Sequence, residues 1–319
     1  MAKSLSEYAD WLDERRLIRP QPPAIQPAKA TPSLKPLPGV KAVTWGVYGT
    51  LLRISDGELL LDHPQELRMQ VALDKTIGEF NMWNSMVRKP GEPWKQMCRL
   101  YQKLLEHERM AGGGRQGNLP EVDARSVWRI IVGRLRKKGY AWESSLYGDE
   151  EQLVEKIVYF FHRSLQGTEA SPNALRAVTA IADAGLSQSL MGNGQCFTLV
   201  QLLRGLQAQG TLPPPGRLFA LDRTVLSFRE GVRAPSETLY RRCARRMREA
   251  GIEPREVLHV GCRLADDLAA AKAVGMRTAL YAADKTALRA SRSEINDPEL
   301  RPDRLLTDLA QIRDVLAIG

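Results

Sequence analysis

Strand-like apolar runs alternate with helical patterns along the second half of the chain, and this alternation limits the possible folds more than any other feature. The predicted elements are, in order, helix 172–185, strand 186–191, helix 196–207, strand 217–221, helix 237–250, strand 257–261, helix 266–275, strand 277–281 and helix 307–316. Such alternation predicts an α/β fold with a parallel sheet and helices on both faces. The functional site of such a sheet lies at the carboxyl ends of its strands.

One more strand-like run, Val40 to Val47, precedes this region, and mainly helical patterns from about 64 to 166 separate the two. A helical block inserted after the first strand would overhang the carboxyl edge of the sheet. We therefore predict a Rossmann-like, doubly wound core from residues 39–54 and 168–319, with an α-helical cap inserted at 55–167. The glycine run 112–114 lies within this insertion and is typical of a flexible connection.

The first 38 residues form a segment of different composition. Residues 3–18 favour a short amphipathic helix. A proline-rich stretch follows and is predicted to be extended, because proline at this density prevents both helix and ladder formation. The helix could dock on the body of the protein or on a partner, and the sequence leaves both options open.

A net charge of +9 raises the question of a nucleic-acid or membrane partner. The densest basic clusters, 134–138 and 241–248, fall in helical patterns and lack interleaved aromatic residues, so we expect solvated helix faces and no nucleic-acid partner. No apolar run approaches the ~20 residues that span a bilayer, and the N-terminus does not resemble a signal peptide. We therefore expect a cytoplasmic protein that does not associate with membranes.

Cysteine spacing gives no sign of a metal site. The four cysteines are far apart and form no CxxC pair: Cys98, Cys196, Cys243 and Cys262. This spacing predicts reduced thiols rather than structural zinc or a disulfide framework.

Four segments at or near strand ends resemble, in order, the motifs of the haloacid dehalogenase (HAD) superfamily of hydrolases. They are Trp45–Leu52 (WGVYGTLL), Leu190–Gln195 (LMGNGQ), Ser227–Pro235 (SFREGVRAP) and Val257–Asp267 (VLHVGCRLADD). The resemblance implies a HAD-like core, a helical cap and a site where the motifs meet. Tyr48, at the second position of the first turn, resembles the metal-independent, dehalogenase-like branch.

The side chains that perform the family's chemistry differ in this sequence. Gly46 stands where the family has its nucleophilic aspartate, whose carboxylate forms a covalent intermediate. Gly192 replaces the second-motif serine or threonine, and Ala234 replaces the third-motif lysine. Cys262 replaces the fourth-motif aspartate. The resemblance therefore implies the family's scaffold without most of its reactive groups.

The retained family residues also have structural interpretations. Thr50 can cap the turn after the first strand, Asn193 suits a tight turn, and Asp267 can cap helix 266–275. Magnesium is the family's default cofactor, but Asp266 and Asp267 alone make a poor site for an ion that requires a near-octahedral set of oxygen ligands. We therefore expect no cofactor.

Two functions remain open at this stage. The leading hypothesis is a catalytically inactive or strongly impaired HAD-like protein that binds a small molecule in the cap–core cleft, or a protein partner. The alternative is an active hydrolase with non-standard catalytic residues, such as Cys262 or Asp267. His259 precedes Cys262 by three positions on one strand and is expected on the other face of the sheet. Arg233, next to Ala234 on a segment predicted to be extended, is expected to point away from the site.

Overall fold

The computed structural model describes residues 2–86, 92–112 and 119–318; the predicted flexible connection at glycines 113 and 114 lies outside these ranges. The strands are β1 (Ala42–Trp45), β2 (Leu52–Ile54), β3 (Thr168–Ala170), β4 (Ser187–Gly192), β5 (Val225–Leu226), β6 (Val257–Gly261), β7 (Arg277–Tyr281) and β8 (Arg304–Leu306). Within the described ranges, six of them form one parallel sheet in the order β5-β4-β1-β6-β7-β8. The predicted Rossmann-like α/β class is confirmed.

The central position of β1 determines where the motifs meet. β1 pairs with β4 on one side and β6 on the other, so that Trp45 lies opposite both Leu190 and Val260. All residues of β1 and β6 are buried, as expected for parallel strands covered on both faces. The carboxyl ends of β1, β4 and β6 are therefore neighbours on one edge.

Helices form the cap and cover the sheet. They are α1 (Leu5–Glu14), α2 (Glu66–Glu79), α3 (Pro93–Gly112), α4 (Ala124–Arg136), α5 (Ser144–Tyr147), α6 (Glu150–Leu165), α7 (Ala174–Asp183), α8 (Thr198–Gln207), α9 (Pro215–Leu218), α10 (Ser227–Glu230), α11 (Glu237–Glu249), α12 (Ala269–Ala273), α13 (Arg292–Asn296) and α14 (Ile312–Leu316). No helix in the described part of the chain is long and apolar enough to span a bilayer.

Helices α2–α6 enclose a hydrophobic core of their own, separate from the clusters around the sheet. At its centre the Trp128 ring lies 5.5 Å from Tyr101 and 5.3 Å from Phe161, measured between centroids. Aromatic residues bury much apolar surface each, so this cluster contributes strongly to the stability of the cap. The domain boundaries at 54/55 and 167/168 stay a prediction, which the separate clusters support.

The predicted strand at 217–221 is wrong. This region forms the short helix α9 and a 3₁₀ turn, Leu221–Arg223, and the strand lies just beyond it as β5. Pro215 occupies the first turn of α9, where its fixed φ suits a helix start and its missing N–H has no helical partner to lose. A short apolar run after prolines is compatible with a strand or a helix, and Pro215 favours the helix.

Helix α1 docks on the cap rather than remaining free. Tyr8, Ala9 and Leu12 are fully buried and join the hydrophobic core of the cap. The Tyr8 ring lies 6.3 Å from Phe80 and 6.0 Å from Tyr147. The sequence left two options open, docking on the body of the protein or on a partner, and the structure shows the first.

Candidate functional site

The family-motif residues surround one cleft at the carboxyl ends of β1, β4 and β6. Its volume is about 290 Å³, and the cap contributes Glu58, Leu59 and Leu119 to its wall. The predicted site residues that line it are Gly46, Tyr48, Thr50, Gly192, Asn193, Ala234, Cys262, Asp266 and Asp267. Four motifs that lie far apart in sequence thus converge on one cavity.

Position 46 offers a backbone surface and little room for a side chain. The Gly46 N–H donates to Val260 O at 2.8 Å, which continues the β1–β6 ladder. A Cβ added at Gly46 would lie 3.0 Å from Thr50 Oγ1 and 3.4 Å from Val260 O. No group at this position can attack a substrate.

The second-motif turn has a backbone conformation at position 192 that favours glycine. Gly192 has φ +126°, a region that residues with side chains rarely adopt. The serine or threonine that the family carries there would strain this backbone. Asn193 Oδ1 accepts the Ala234 N–H at 2.8 Å, so this amide joins the second- and third-motif loops.

Arg233 was expected to point away from the site, and this prediction is wrong. Arg233 and Ala234 both line the cleft. The alternation argument fails because the segment is a turn: Gly231 has φ +69° and ends helix α10 immediately before it. The Arg233 guanidinium has no ion-pair or hydrogen-bond partner among the described residues, whereas Arg263 in the same wall donates to Glu58 and to Gly57 O.

Cys262 is packed as a small buried residue. Its side chain is only 3% exposed, and Sγ lies 3.9 Å from Tyr48 O. A Cβ at Gly49, which has φ +86°, would come within 2.5 Å of this sulfur, so the thiol fills the space that the turn leaves. Burial raises the pKa of Cys262. The thiol therefore stays protonated, and the protonated form is a poor nucleophile.

Asp267 does not cap a helix, which corrects the structural interpretation of its sequence. It lies inside a single π turn, Leu264–Leu268, before α12. Its Oδ1 accepts hydrogen bonds from His259 Nε2 at 2.9 Å and from the Tyr240 hydroxyl at 2.7 Å. His259 Nδ1 lies 2.9 Å from Thr44 Oγ1, which completes a chain of buried polar contacts.

This network fixes the charge state of Asp267. Burial alone would raise the pKa of this carboxyl, but the charge and hydrogen bond of His259, with the hydrogen bond from Tyr240, lower it below its ordinary value. Asp267 is thus an ionised group whose partners lie on the α11 side of the sheet. Tyr240 was not among the predicted site residues. The available signal was His259, because a histidine in an apolar strand requires a polar partner.

Tyr48 and Thr50 serve the packing of the first turn. The Tyr48 hydroxyl donates to Gln201 Oε1 at 2.7 Å and lies 3.1 Å from Thr198 Oγ1, both on α8. Burial raises the pKa of this phenol. Thr50 is 1% exposed. The Tyr48 hydroxyl thus anchors the turn to a helix instead of facing the reacting position.

The residues present do not fit magnesium. The carboxylates that would face the ion are replaced by Gly46 and Cys262, and Oδ1 of Asp267 already accepts two hydrogen bonds. Asp266 is exposed. Across the described ranges, no three histidine, cysteine or acidic side chains are placed to hold a metal ion. Magnesium requires several hard oxygen ligands in a near-octahedral arrangement, which this donor set does not supply.

Local carboxylates neutralise most of the basic cluster on α11. Each of its five arginines has a carboxylate partner: Arg241 with Glu237, Arg242 with Glu230, Arg245 with Glu249, Arg246 with Glu230, and Arg248 with Glu253. The absence of a nucleic-acid partner stays a prediction, and these ion pairs reduce the positive field on which binding would depend.

The chain is similar to known proteins both in part of its sequence and in its fold. Residues 231–312 match a family model described as "HAD-hyrolase-like". No curated protein matches the sequence. Among solved structures, the 2-haloacid dehalogenase from Pseudomonas syringae pv. Tomato DC3000 is similar at 18% identity and a TM-score of 0.50, with 87% of this chain and 98% of that chain covered.

Two further structures are similar over most of the chain. The L-2-haloacid dehalogenase from Xanthobacter autotrophicus is 20% identical, with a TM-score of 0.42 and coverage of 86% of this chain and 96% of that chain. The HAD phosphatase from Thermococcus onnurineus is 16% identical, with a TM-score of 0.48 and coverage of 88% and 99%. The resemblance that the four motifs predict is confirmed, and the chain has the fold of the HAD-like hydrolases of the haloacid dehalogenase superfamily.

Proposed function

We propose that this protein binds a small anionic molecule in the cleft between cap and core and does not hydrolyse it. One observation carries the proposal: the cleft of about 290 Å³ is open, although positions 46, 192, 234 and 262 hold no ionised group. Binding sites are concave and carry a few convergent polar groups, and this cavity has that form.

The loss of turnover follows from the absence of a nucleophile and of its supporting groups. Removing one member of a catalytic unit costs several orders of magnitude in rate, and here the nucleophile and three supporting positions have changed together. The backbone at Gly192 also differs from what the family's residue requires. Its φ is +126°, at which a serine would be strained.

The charge of the ligand is inferred from Arg233. The cleft's other cation, Arg263, is engaged with Glu58, and Asp267 is engaged with His259. Asp266 also lines the cleft, but it is exposed, so water screens its charge. Arg233 lines the cavity and forms no ion pair within 4 Å in the described ranges. Burial raises the pKa of Glu121, and the charge of Arg233 opposes this effect from a greater distance. An arginine fork matches carboxylate and phosphate oxygens in geometry and charge.

The other hypotheses have less support. An active site built on Cys262 would need a thiolate, which burial disfavours. A protein partner held by α1 would need the apolar face of that helix, which is buried on the cap.

The test is calorimetric titration with inorganic phosphate, phosphoglycolate and 2-chloropropionate, with phosphate or halide release followed in parallel. We expect at least one of these anions to bind and none to be hydrolysed. Arg233→Gln should weaken that binding about tenfold, because a charge-assisted hydrogen bond contributes about 1.5–3 kcal/mol.

Arg255→Gln is the matched control. Arg255 is exposed at the opposite edge of the sheet, in the turn before β6, and the substitution should leave binding unchanged. Measurable turnover by the wild-type chain, or equal binding by the two variants, would overturn the proposal.

A further inference from the structure

The N-terminal segment 4–37, here named the strap, runs along both layers of the molecule. Its second half lies against the core. Ser33 N–H donates to Leu305 O in β8 at 2.9 Å, and Leu37 N–H donates to Val315 O in α14 at 2.8 Å. Pro27 forms an isolated antiparallel bridge with Asp284. The strap is thus attached to the core along its extended part.

The strap then crosses the two chain connections between core and cap. These connections run side by side: Ser55 N–H donates to Gly167 O at 3.0 Å, and Gly167 N–H donates to Ser55 Oγ at 2.9 Å. Gly167 lies so close to the strap that an added Cβ would be 2.5 Å from Gln21 C and 2.6 Å from Pro20 O. Only a glycine fits beneath the strap at this point.

Arg53 joins the strap to the connection from the core side. It lies on β2, two residues before Ser55, and is buried. It donates to Pro23 O of the strap and forms ion pairs with Glu169 on β3 and Asp284 beyond β7. The Arg53 side chain therefore links the strap to the core and to β2 and β3, the strands that continue into the two connections.

The first half of the strap, α1, is held by cap and core together. Asp13 forms ion pairs with Arg163 on cap helix α6 and with Arg204 on core helix α8. Asp10 adds a second contact to Arg204, and Arg15 pairs with Glu79 on α2 at 2.8 Å. The apolar face of α1 is buried in the cap. Helix α1 is therefore held by apolar packing on the cap and by ion pairs to both cap and core.

We propose that the strap is an intramolecular clamp that holds the cap in one orientation on the core. Two adjacent backbone connections form a hinge, about which a cap can rotate as a body. The strap adds an attachment on each side of this hinge and packs on the hinge itself at Gly167. Rotation then requires the strap to detach, which exposes the apolar face of α1.

The substitution Gly167→Ala tests the clamp in the full-length chain. The added Cβ collides with the strap backbone, and Gly167 has no positive φ, so the residue itself tolerates alanine. Hydrogen exchange is followed at the hinge amides of residues 52–55 and 167–170 and at β1 as an internal reference. We expect at least tenfold faster exchange at the hinge and unchanged exchange in β1.

Gly78→Ala is the matched control, because a Cβ there meets nothing within 4 Å on a helix of the cap. It should leave hinge exchange unchanged. If Gly167→Ala does not fold, the double variant Asp10→Asn with Asp13→Asn removes the charged contacts to Arg204 and Arg163, and it should accelerate hinge exchange several-fold. Hinge exchange equal to that of wild type in the folded variants would overturn the clamp. No ligand is needed, so the result is independent of the proposed function.

Discussion

On the α11 side of the sheet, Asp267 meets His259 and Tyr240, and every polar group in that contact is satisfied. On the cleft side, the same carboxylate shares its surroundings with Gly46, Ala234 and Cys262, which offer no ionised partner. This difference indicates that the protein retains polar side chains at positions where folding requires them. At positions 46, 192, 234 and 262, where only chemistry would require a reactive group, small or neutral side chains stand on an intact backbone.

The largest expected effect tests the packed side of this comparison. Asp267→Ala leaves the buried His259 ring and the Tyr240 hydroxyl without their partner, and we expect a loss of about 3 kcal/mol in the free energy of unfolding. Urea denaturation measures it. Asp266→Ala is the neighbouring control and should change stability by less than about 0.5 kcal/mol, because Asp266 is exposed. Equal effects of the two substitutions would break the comparison.

A second buried histidine extends the comparison to the cap. The His162 ring is buried beside Phe161 and Phe197, and burial lowers its pKa from 6.5 to about 3, against the opposing effect of the Leu60 backbone. The unfolded chain takes up a proton as the pH falls below 6.5, whereas the folded chain does not until about pH 3. The free energy of unfolding should therefore decrease with falling pH, by about 1.4 kcal/mol per pH unit from this group and about 2 kcal/mol by pH 5.

His162→Leu separates this contribution from the carboxylates. Urea denaturation at pH 7, 6 and 5 should show a shallower loss of stability in the variant, because leucine does not titrate. Parallel pH dependence in wild type and variant would mean that the histidine is protonated in the folded cap.

The cleft side is tested by restoring a family side chain. Gly192→Ser should cost about 1.5 kcal/mol in the free energy of unfolding, because serine is strained at φ +126°. Gly216→Ser in α9 is the control, since that glycine has no positive φ and a Cβ there meets nothing within 4 Å. A stable Gly192→Ser variant would show that the turn can still accept the family's residue.

The smallest expected effect concerns thiol reactivity. Burial raises the pKa of Cys262 and raises that of Cys243, on the other side of the sheet, to about 12. Native-state alkylation with iodoacetamide, followed by peptide mass spectrometry, should label half-buried Cys98 roughly tenfold faster than either. Faster labelling of Cys262 than of Cys98 would restore the cysteine as a candidate nucleophile.

The sequence predicted the site well where backbone pattern determines it. The strands that end at Gly46, Gly192 and Cys262 follow from apolar runs closed by turn residues, and parallel pairing brings those ends together. Arg233 could not be predicted, because its direction depends on a turn rather than on strand alternation. The partners of Asp267 could not be predicted either, since they depend on how α11 packs against β6.

The order in which the chain is synthesised determines when α1 can dock. The arginines that hold Asp13 lie 150 and 191 residues further along the sequence. A ribosome adding about 5–20 residues per second completes α1 roughly 10 to 40 s before both of its binding partners exist. The apolar partners of α1 on the cap, among them Phe80 and Tyr147, are also synthesised after it, so its apolar face is exposed for the first part of that interval. Helix α1 is synthesised before the residues that hold it, and it is thus among the last elements to reach its place.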